Sequence, residues 1–417
     1  MDISQIHKAI YIVINYIFDK ENVKDKKLLE LMLLFSTCKE LRDRIHNIKH
    51  FTICYWNFKE NIKHIKEKIG YCMTGDTILE YYNPIREHSR SKYNDRVISF
   101  IKFLNNLTEL TTLNASGTID IYKILEHTTL TNLIKLTLRD TDCISHEENI
   151  PHKQIGNIVS SFSKITTFNF SDHYYNANAL VFCLPNLLHL RTLNLSFCNL
   201  DQCAKNLKDI FKFLTQLNYL NLSQHNNECI VDILSAITSL VSLKTLVYEL
   251  NNIVKISDAH VFCVCLNTLT NLKTLSLKQT YIDIECMHIL AENLDKQITL
   301  EELNLSKLEF YSSVKPPKTC ILWACILKNM PNLTHLNLED NYLTLNDITA
   351  LITAFNNLTK LQKLNLSSNL INIDSLPLLA YTIKQLPKLR VLNLYNNYFQ
   401  EEDETEWMQF INPQIHF

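Results

Sequence analysis

Glycine is nearly absent from this chain. Only Gly70, Gly75, Gly117 and Gly156 occur in 417 residues. A glycine-rich loop whose backbone closes around a phosphate therefore has no place in residues 157–417, which removes most nucleotide-binding enzymes. Excess positive charge is missing as well. Forty-one Lys and Arg stand against 43 Asp and Glu, a net charge of −2, so a dedicated nucleic-acid binder is not expected. No apolar run is long enough to span a bilayer. The best, Ala9–Phe18, is interrupted by Asn15, closed by Asp19 and followed by no small-residue cleavage site, so it reads as a buried amphipathic helix. Neither a membrane partner nor a signal peptide is expected.

Thirteen cysteines are present, but no Cys-x-x-Cys pair. An odd count on apolar stretches predicts reduced, mostly buried thiols in a cytoplasmic or nuclear protein. Cys263-Val-Cys265 is too tight for a zinc knuckle, so no metal is assigned. Fifteen histidines are scattered, with no HExxH motif and no GxSxG nucleophile turn. No catalytic residue and no cofactor follow, and the chain is not expected to be an enzyme. His173, His225 and His335 are expected on or beside a binding surface.

What the chain has is one phrase written eleven times: an apolar residue, two variable ones, Leu, one variable, Leu. It starts at residues 110, 133, 165, 190, 217, 243, 272, 300, 333, 361 and 389. Leu190-Arg-Thr-Leu193-Asn-Leu195 and Leu361-Gln-Lys-Leu364-Asn-Leu366 are clear copies. The third copy is the most divergent, with Ile165, Phe168 and Phe170 for its leucines, and Ala115 replaces one leucine of the first. Alternation along an extended strand puts the fourth and sixth residues inside and displays the third, fifth and seventh, for example Thr192, Asn194 and Ser196. The corner that follows wants a small polar residue, here Asn251, Asn341, Asn369 and Asn397, with Thr141 and Cys198 in the second and fourth copies.

Between the phrases a second periodicity appears. Leu207/Ile210/Phe211/Leu214, Met287/Leu290/Ala291/Leu294, Ile348/Leu351/Ile352/Phe355 and Leu376/Leu379/Ala380/Ile383 form helical apolar stripes. Asp201, Asp283, Asn346 and Asp374 precede them as expected caps. Alternating strand and helix at a period near 28 predicts a solenoid in which each unit buries its neighbour's apolar face. The sequence resembles the leucine-rich repeats, in particular the ribonuclease-inhibitor-like subclass. The resemblance implies an α/β horseshoe with parallel strands on the concave face and helices on the convex face. Inserts around His146–Gln154 and Lys315–Lys318 lengthen their units, and the second, with Pro316-Pro317, is expected as a surface loop.

Residues 1 to about 105 lack the phrase and read as a small all-α region. Within it, Lys27-Leu-Leu-Glu-Leu-Met-Leu-Leu-Phe-Ser-Thr-Cys-Lys-Glu-Leu, followed by Ile48-Lys-His-Phe-Thr-Ile53, resembles the second half of an F-box, which leads into a first strand. The opening Leu-Pro-Asp/Glu of that family is missing, and Asp2-Ile-Ser-Gln-Ile6 stands in its place. The resemblance implies docking to a Skp-type adaptor of a cullin–RING ubiquitin ligase through Leu28, Leu29, Leu31, Leu33 and Leu34. The expected organisation is an F-box-like region over 1–60, a helical linker or cap over 61–105, repeats over 106–400, and a C-terminal cap over 401–417 in which Trp407, Phe410 and Ile411 cover the last leucines.

On the expected concave face, asparagine recurs at the fifth residue. The distinctive side chains among the repeats' Asn and Ser are Lys135, Arg139, Tyr219, Glu249, Lys278, Glu302, His335, Glu339, Lys363 and Tyr395, and these are the expected partner-binding set. The expected function is a non-enzymatic protein–protein interaction module, a substrate-recognition adaptor of the F-box and leucine-rich-repeat type, monomeric outside its complex. The alternative is a leucine-rich-repeat scaffold or inhibitor with no link to a ubiquitin ligase.

Overall fold

The computed structural model describes residues 50–53, 101, 104–105, 110–116, 120–139, 151–173, 177–224, 229–253, 255–293, 299–308 and 319–399. The chain divides into two compact units, Met1–Leu190 and Arg191–Phe417.

Among the described residues the first unit holds four parallel strands, β1 (His50–Ile53), β2 (Thr112–Ser116), β3 (Lys135–Arg139) and β4 (Thr167–Asn169), with β1 on β2, β2 on β3 and β3 on β4. Helices Asp120–Glu126 and His152–Ser160 lie between strands. One expectation changes here. The region before residue 105 is not wholly helical, because His50–Ile53 is a strand whose Phe51 pairs opposite Leu113. Phe51, Thr52 and Ile53 are strand-forming residue types that suit a strand better than a helix. Within the insert at 146–154, His152 opens a nine-residue helix after Pro151. Gly156 in that helix has a packing reason. A Cβ there would stand 2.4 Å from Cβ of Phe182 and 2.9 Å from the Ala179 carbonyl oxygen.

The second unit holds β5 (Thr192–Asn194), β6 (Tyr219–Asn221), β7 (Thr245–Val247), β8 (Asn252–Ile253), β9 (Thr274–Ser276), β10 (Tyr281–Ile282), β11 (Glu302–Asn304), β12 (His335–Asn337), β13 (Lys363–Asn365) and β14 (Val391–Asn393). All but β8 and β10 form one parallel sheet in which each strand pairs with the next repeat's strand, third residue to third residue. β8 and β10 pair separately, also in parallel. Each return passes through a helix, such as Ala204–Phe211, Ile230–Ile237, Ile256–Thr268, Leu345–Phe355 and Leu376–Lys384.

The leucine phrase dictates the core. Leu190, Leu193 and Leu195 are 0% exposed, and so are Leu361, Leu364 and Leu366. Burying each leucine contributes about 2 kcal/mol. The divergent third repeat keeps the same geometry, with Ile165, Phe168 and Phe170 all buried. Helical stripes meet the same interior: Leu207, Ile210, Phe211, Ile348, Leu351 and Phe355 are buried.

Three of the four expected caps move. Cys203 precedes Ala204–Phe211, two residues after Asp201. Thr344 precedes Leu345–Phe355, where the Asp347 carboxylate accepts its N–H at 2.7 Å, so Asn346 lies inside the helix. Ser375 precedes Leu376–Lys384, and Asp374 belongs to the 3-10 turn Ile373–Ser375. Asp283 does accept the N–H of Glu285 at 2.9 Å, as a short acidic cap should.

Candidate functional site

The face of the sheet opposite the helices is built by a turn that recurs after each strand. The strand ends at the fifth residue, and where that residue is asparagine its Oδ1 accepts the N–H two residues on. This bond joins Asn169 to Ser171, Asn194 to Ser196, Asn221 to Ser223, Asn304 to Ser306, Asn337 to Glu339, Asn365 to Ser367 and Asn393 to Tyr395, all at 2.9–3.0 Å. In the sixth repeat Val247 cannot do this, and the Ser223 hydroxyl of the preceding repeat accepts the Glu249 N–H at 3.2 Å instead. Where the seventh residue is serine, the turn folds it inward. Ser171, Ser196, Ser223, Ser306 and Ser367 are buried, which corrects their expected display. Strict alternation fails there because the strand has already ended.

The eighth residue of every repeat from the third onward adopts positive φ: Asp172, Phe197, Gln224, Leu250, Gln279, Lys307, Asp340, Ser368 and Asn396, at 54–64°. None is glycine. In seven of them the amide donates to the seventh residue's carbonyl in the next repeat, for example Phe197 to Ser223 at 2.9 Å and Leu250 to Lys278 at 3.0 Å. The ninth residue then turns inward, as expected for Asn251, Asn341, Asn369 and Asn397. Asn369 shows why. Its Nδ2 donates to the carbonyls of Leu338, Leu366 and Ser367 (3.1, 2.8 and 3.1 Å), and its Oδ1 accepts the amides of Asn341 and Leu343 at 3.0 Å. Thr280 performs part of this role in the seventh repeat, its hydroxyl donating to the Tyr248 carbonyl at 2.9 Å.

In the third repeat the ninth residue is His173, which is interior rather than on the surface. It is 1% exposed and stacks on Phe170 at 3.6 Å. Nδ1 lies 3.0 Å from the Ser171 carbonyl, and Nε2 lies 2.9 Å from the Tyr122 hydroxyl. Nδ1–H therefore donates to the carbonyl and Nε2 accepts the phenol proton. Burial pushes its pKa from 6.5 down to about 4, against a smaller opposing effect of the two carbonyls.

The candidate residues separate by location. Lys135 and Arg139 begin and end β3 in the first unit, and Arg139 Nε meets Asp172 Oδ2 at 2.5 Å. The others lie in the second unit. Glu302, His335 and Lys363 are aligned on three consecutive strands, an acid, an imidazole and a base in one row. Glu302 Oε1 is 3.8 Å from His335 Nδ1, and Thr334 Oγ1 is 2.9 Å from that nitrogen. Tyr219 is half-buried on β6, and its phenol pKa is raised by burial first and by the Glu249 carboxylate second. Glu249 is half-buried and accepts the Ser276 hydroxyl at 2.5 Å. Lys278 is half-exposed in the following repeat. Glu339 takes a long 3.4 Å bond from Asn365 Nδ2, and Tyr395 is 81% exposed. Leu28, Leu29, Leu31, Leu33, Leu34 and His225 lie outside the described residues, as do Trp407, Phe410, Ile411 and the Pro316-Pro317 insert.

Sequence reasoning missed Tyr342 and Tyr398, 59 and 66% exposed, which follow the ninth-position asparagines. Counting ten from each phrase start would have found them. An open groove between helices Asp120–Glu126 and His152–Ser160, lined by Leu125, Glu126, Pro151 and Gln154, contains none of the candidates. Burial raises the thiols of Cys203, Cys263 and Cys265 to about 12, so they are protonated and poorly nucleophilic at neutral pH. Among the described residues no group of three or more His, Cys, Asp or Glu could hold a metal ion, and no helix is long and apolar enough to cross a membrane.

A parallel strand, a left-handed turn, an inward ladder residue and a return helix, repeated in register, define a leucine-rich-repeat solenoid. No protein-family model matches the chain, and no curated protein matches it. Among solved structures it is similar to an internalin from Listeria monocytogenes, at 16% identity and a TM-score of 0.45, covering 89% of this chain and 87% of that one. It is also similar to TLR13 in a complex with single-stranded RNA, at 20% identity and a TM-score of 0.40. That match covers 72% of this chain and spans 37% of the TLR13 chain. Neither superposition is close enough to carry a functional inference.

Proposed function

We propose that this chain is a non-enzymatic protein-binding module that holds its partner on the strand face of its repeats. The observation behind this is the row Glu302–His335–Lys363 with Tyr219 on the same sheet and Glu249 in the turn after β7, side chains of mixed charge displayed on an open surface rather than converging in a closed pocket. Such surfaces bind by area and anchors. Lys135 and Arg139 would serve the same role on the first unit. The full chain, used as bait with chemical crosslinking, should capture a protein partner. Glu302→Ala with His335→Ala and Lys363→Ala should weaken capture about tenfold. Unchanged capture would rule out this face.

The finer reading is a substrate-recognition adaptor in ubiquitin ligation, with repeats of the ribonuclease-inhibitor-like subclass. It is supported by the F-box resemblance of residues 27–53, by a strand at His50–Ile53 where that resemblance calls for one, and by a helix in most repeats. A Skp-type adaptor should co-purify with the full chain and be lost on Leu29→Glu with Leu33→Glu. Failure to co-purify leaves the scaffold or inhibitor alternative.

A further inference from the structure

Among the described residues of the second unit, the most exposed aromatic side chains, Tyr342, Tyr381, Tyr395 and Tyr398, lie in its last three repeats, Tyr381 on a helix and the others after the strands. The tenth residues of these repeats are Tyr342, Leu370 and Tyr398, which are 59, 36 and 66% exposed, and the seventh residue of the last is Tyr395, at 81%. The backbone sets the tenth residues in a row. The Leu370 amide donates to the Leu343 carbonyl at 2.9 Å, the Tyr398 amide to the Ile371 carbonyl at 2.9 Å, and Asn372 bridges Tyr398 in parallel. Successive tenth residues therefore stand one strand spacing apart, about 5 Å, on one side of the chain. Tyrosines set among Asn and Ser resemble an antibody's contact surface, where rigid amphipathic rings supply area at small entropic cost.

Charge selects the partner. Of the nine residues at the seventh, eighth and tenth positions of these repeats, Glu339 and Asp340 are acidic and none is basic. Glu339 takes only a weak 3.4 Å bond from Asn365 Nδ2. Asp340 faces Lys307 at 3.8 Å with both side chains 39% exposed, a contact that water screens heavily. Lys363 stands apart at the third position of its repeat.

We propose that this rim docks an extended, basic segment of a protein partner. Its arginine or lysine side chains would lie over the tyrosine faces and reach Glu339, and an aliphatic neighbour would cover Leu370. Cations bind tyrosine faces through the ring quadrupole, and alternate residues of an extended chain point to one side, so several side chains can face the rim at once. This rests on the protein-binding role proposed above and names the chemistry of one part of the partner.

The test uses the full chain and two labelled nine-residue peptides, one alternating Arg and Thr and the other alternating Glu and Thr, followed by fluorescence anisotropy. The basic peptide should bind and the acidic one should not. Tyr342→Ala with Tyr398→Ala should weaken binding about tenfold or more while leaving the melting temperature unchanged, because both rings are largely in water. Glu339→Lys should weaken the basic peptide and admit the acidic one, a swap that loss of structure would not produce. No binding of the basic peptide, equal binding of both, or indifference to the tyrosine changes would overturn the proposal. A partner captured through Glu302, His335 and Lys363 that ignores the tyrosine changes would sink the rim site alone and leave the protein-binding role standing.

Discussion

Acidification should loosen the third repeat before the rest of its unit, and His173 is the reason. Its ring is interior and stacked on Phe170, with Nε2 serving as acceptor for the Tyr122 phenol, so a second ring proton has no well-prepared place. The neighbouring Asp172 carboxylate is engaged by Arg139. The folded pKa is about 4, against 6.5 for an exposed imidazole. Above pH 6.5 the ring is neutral in both states and costs nothing. Between 6.5 and 4 the unfolded chain takes up a proton that the folded chain refuses, so stability falls as pH falls through that window. Each pH unit there costs about 1.4 kcal/mol, giving about 3 kcal/mol in full by pH 4.

The assay compares the protein with His173→Asn, which installs the residue that other repeats use at the ninth position. Native-state hydrogen exchange of amides 165–173 at pH 7 and pH 4.5 reports local opening. The wild type should lose about 2–3 kcal/mol more than the variant over that range, after the carboxylates common to both cancel. At pH 7 the variant itself should be weaker by about 1–2 kcal/mol, because the buried Tyr122 hydroxyl loses its acceptor. The imidazole should also titrate below pH 5 in an NMR series and carry its proton on Nδ1. A midpoint near 6.5, or equal pH slopes in the two proteins, would refute the account.

Other substitutions probe the turn and the packing. Asn369→Ala removes two N–H donors shared among three carbonyls and an oxygen that accepts two amides, at a 3% exposed site, and should cost about 3 kcal/mol or more in denaturant unfolding. Leu250→Asn should stabilise by about 0.5–1 kcal/mol in the same assay, since Leu250 holds φ of 57° while 39% exposed and asparagine tolerates that region better. Gly156→Ala should cost about 1–3 kcal/mol, because the added methyl meets Phe182 Cβ at 2.4 Å and a helix must shift. A lowered melting temperature with far-UV circular dichroism retained at 25 °C would be the expected signature, and an unchanged one would contradict the packing.

The strands were legible because burial leaves few choices at the first, fourth and sixth residues. Leu193 and Leu195 have to be apolar, and even the substituted Phe168 and Phe170 keep the spacing. The left-handed eighth residue was not legible. Phe197, Leu250 and Lys307 carry no local preference for positive φ, and what holds them there is a hydrogen bond from the backbone amide to a carbonyl of the next repeat, 26–32 residues away. Caps were misplaced by one or two residues for a related reason. Asp201, Asn346 and Asp374 have the right chemistry, but the chain enters each helix where the preceding turn delivers it.

Binding information has to be sought where the repeat's own demands are silent. The fifth-position asparagines are uniform because each closes the turn of its own repeat, so their identity says nothing about a partner. The seventh position is a buried serine in five repeats, and Arg139, Glu249, Lys278, Glu339 and Tyr395 depart from it without any structural requirement of the turn. The third and tenth positions are unconstrained by the core as well, which is where Glu302, His335, Lys363, Tyr342 and Tyr398 stand. A partner that reads this chain must do so through those departures. Exchanging Asn194 or Asn221 should therefore change stability and leave relative affinity unaltered, whereas exchanging Tyr342 or His335 should do the reverse.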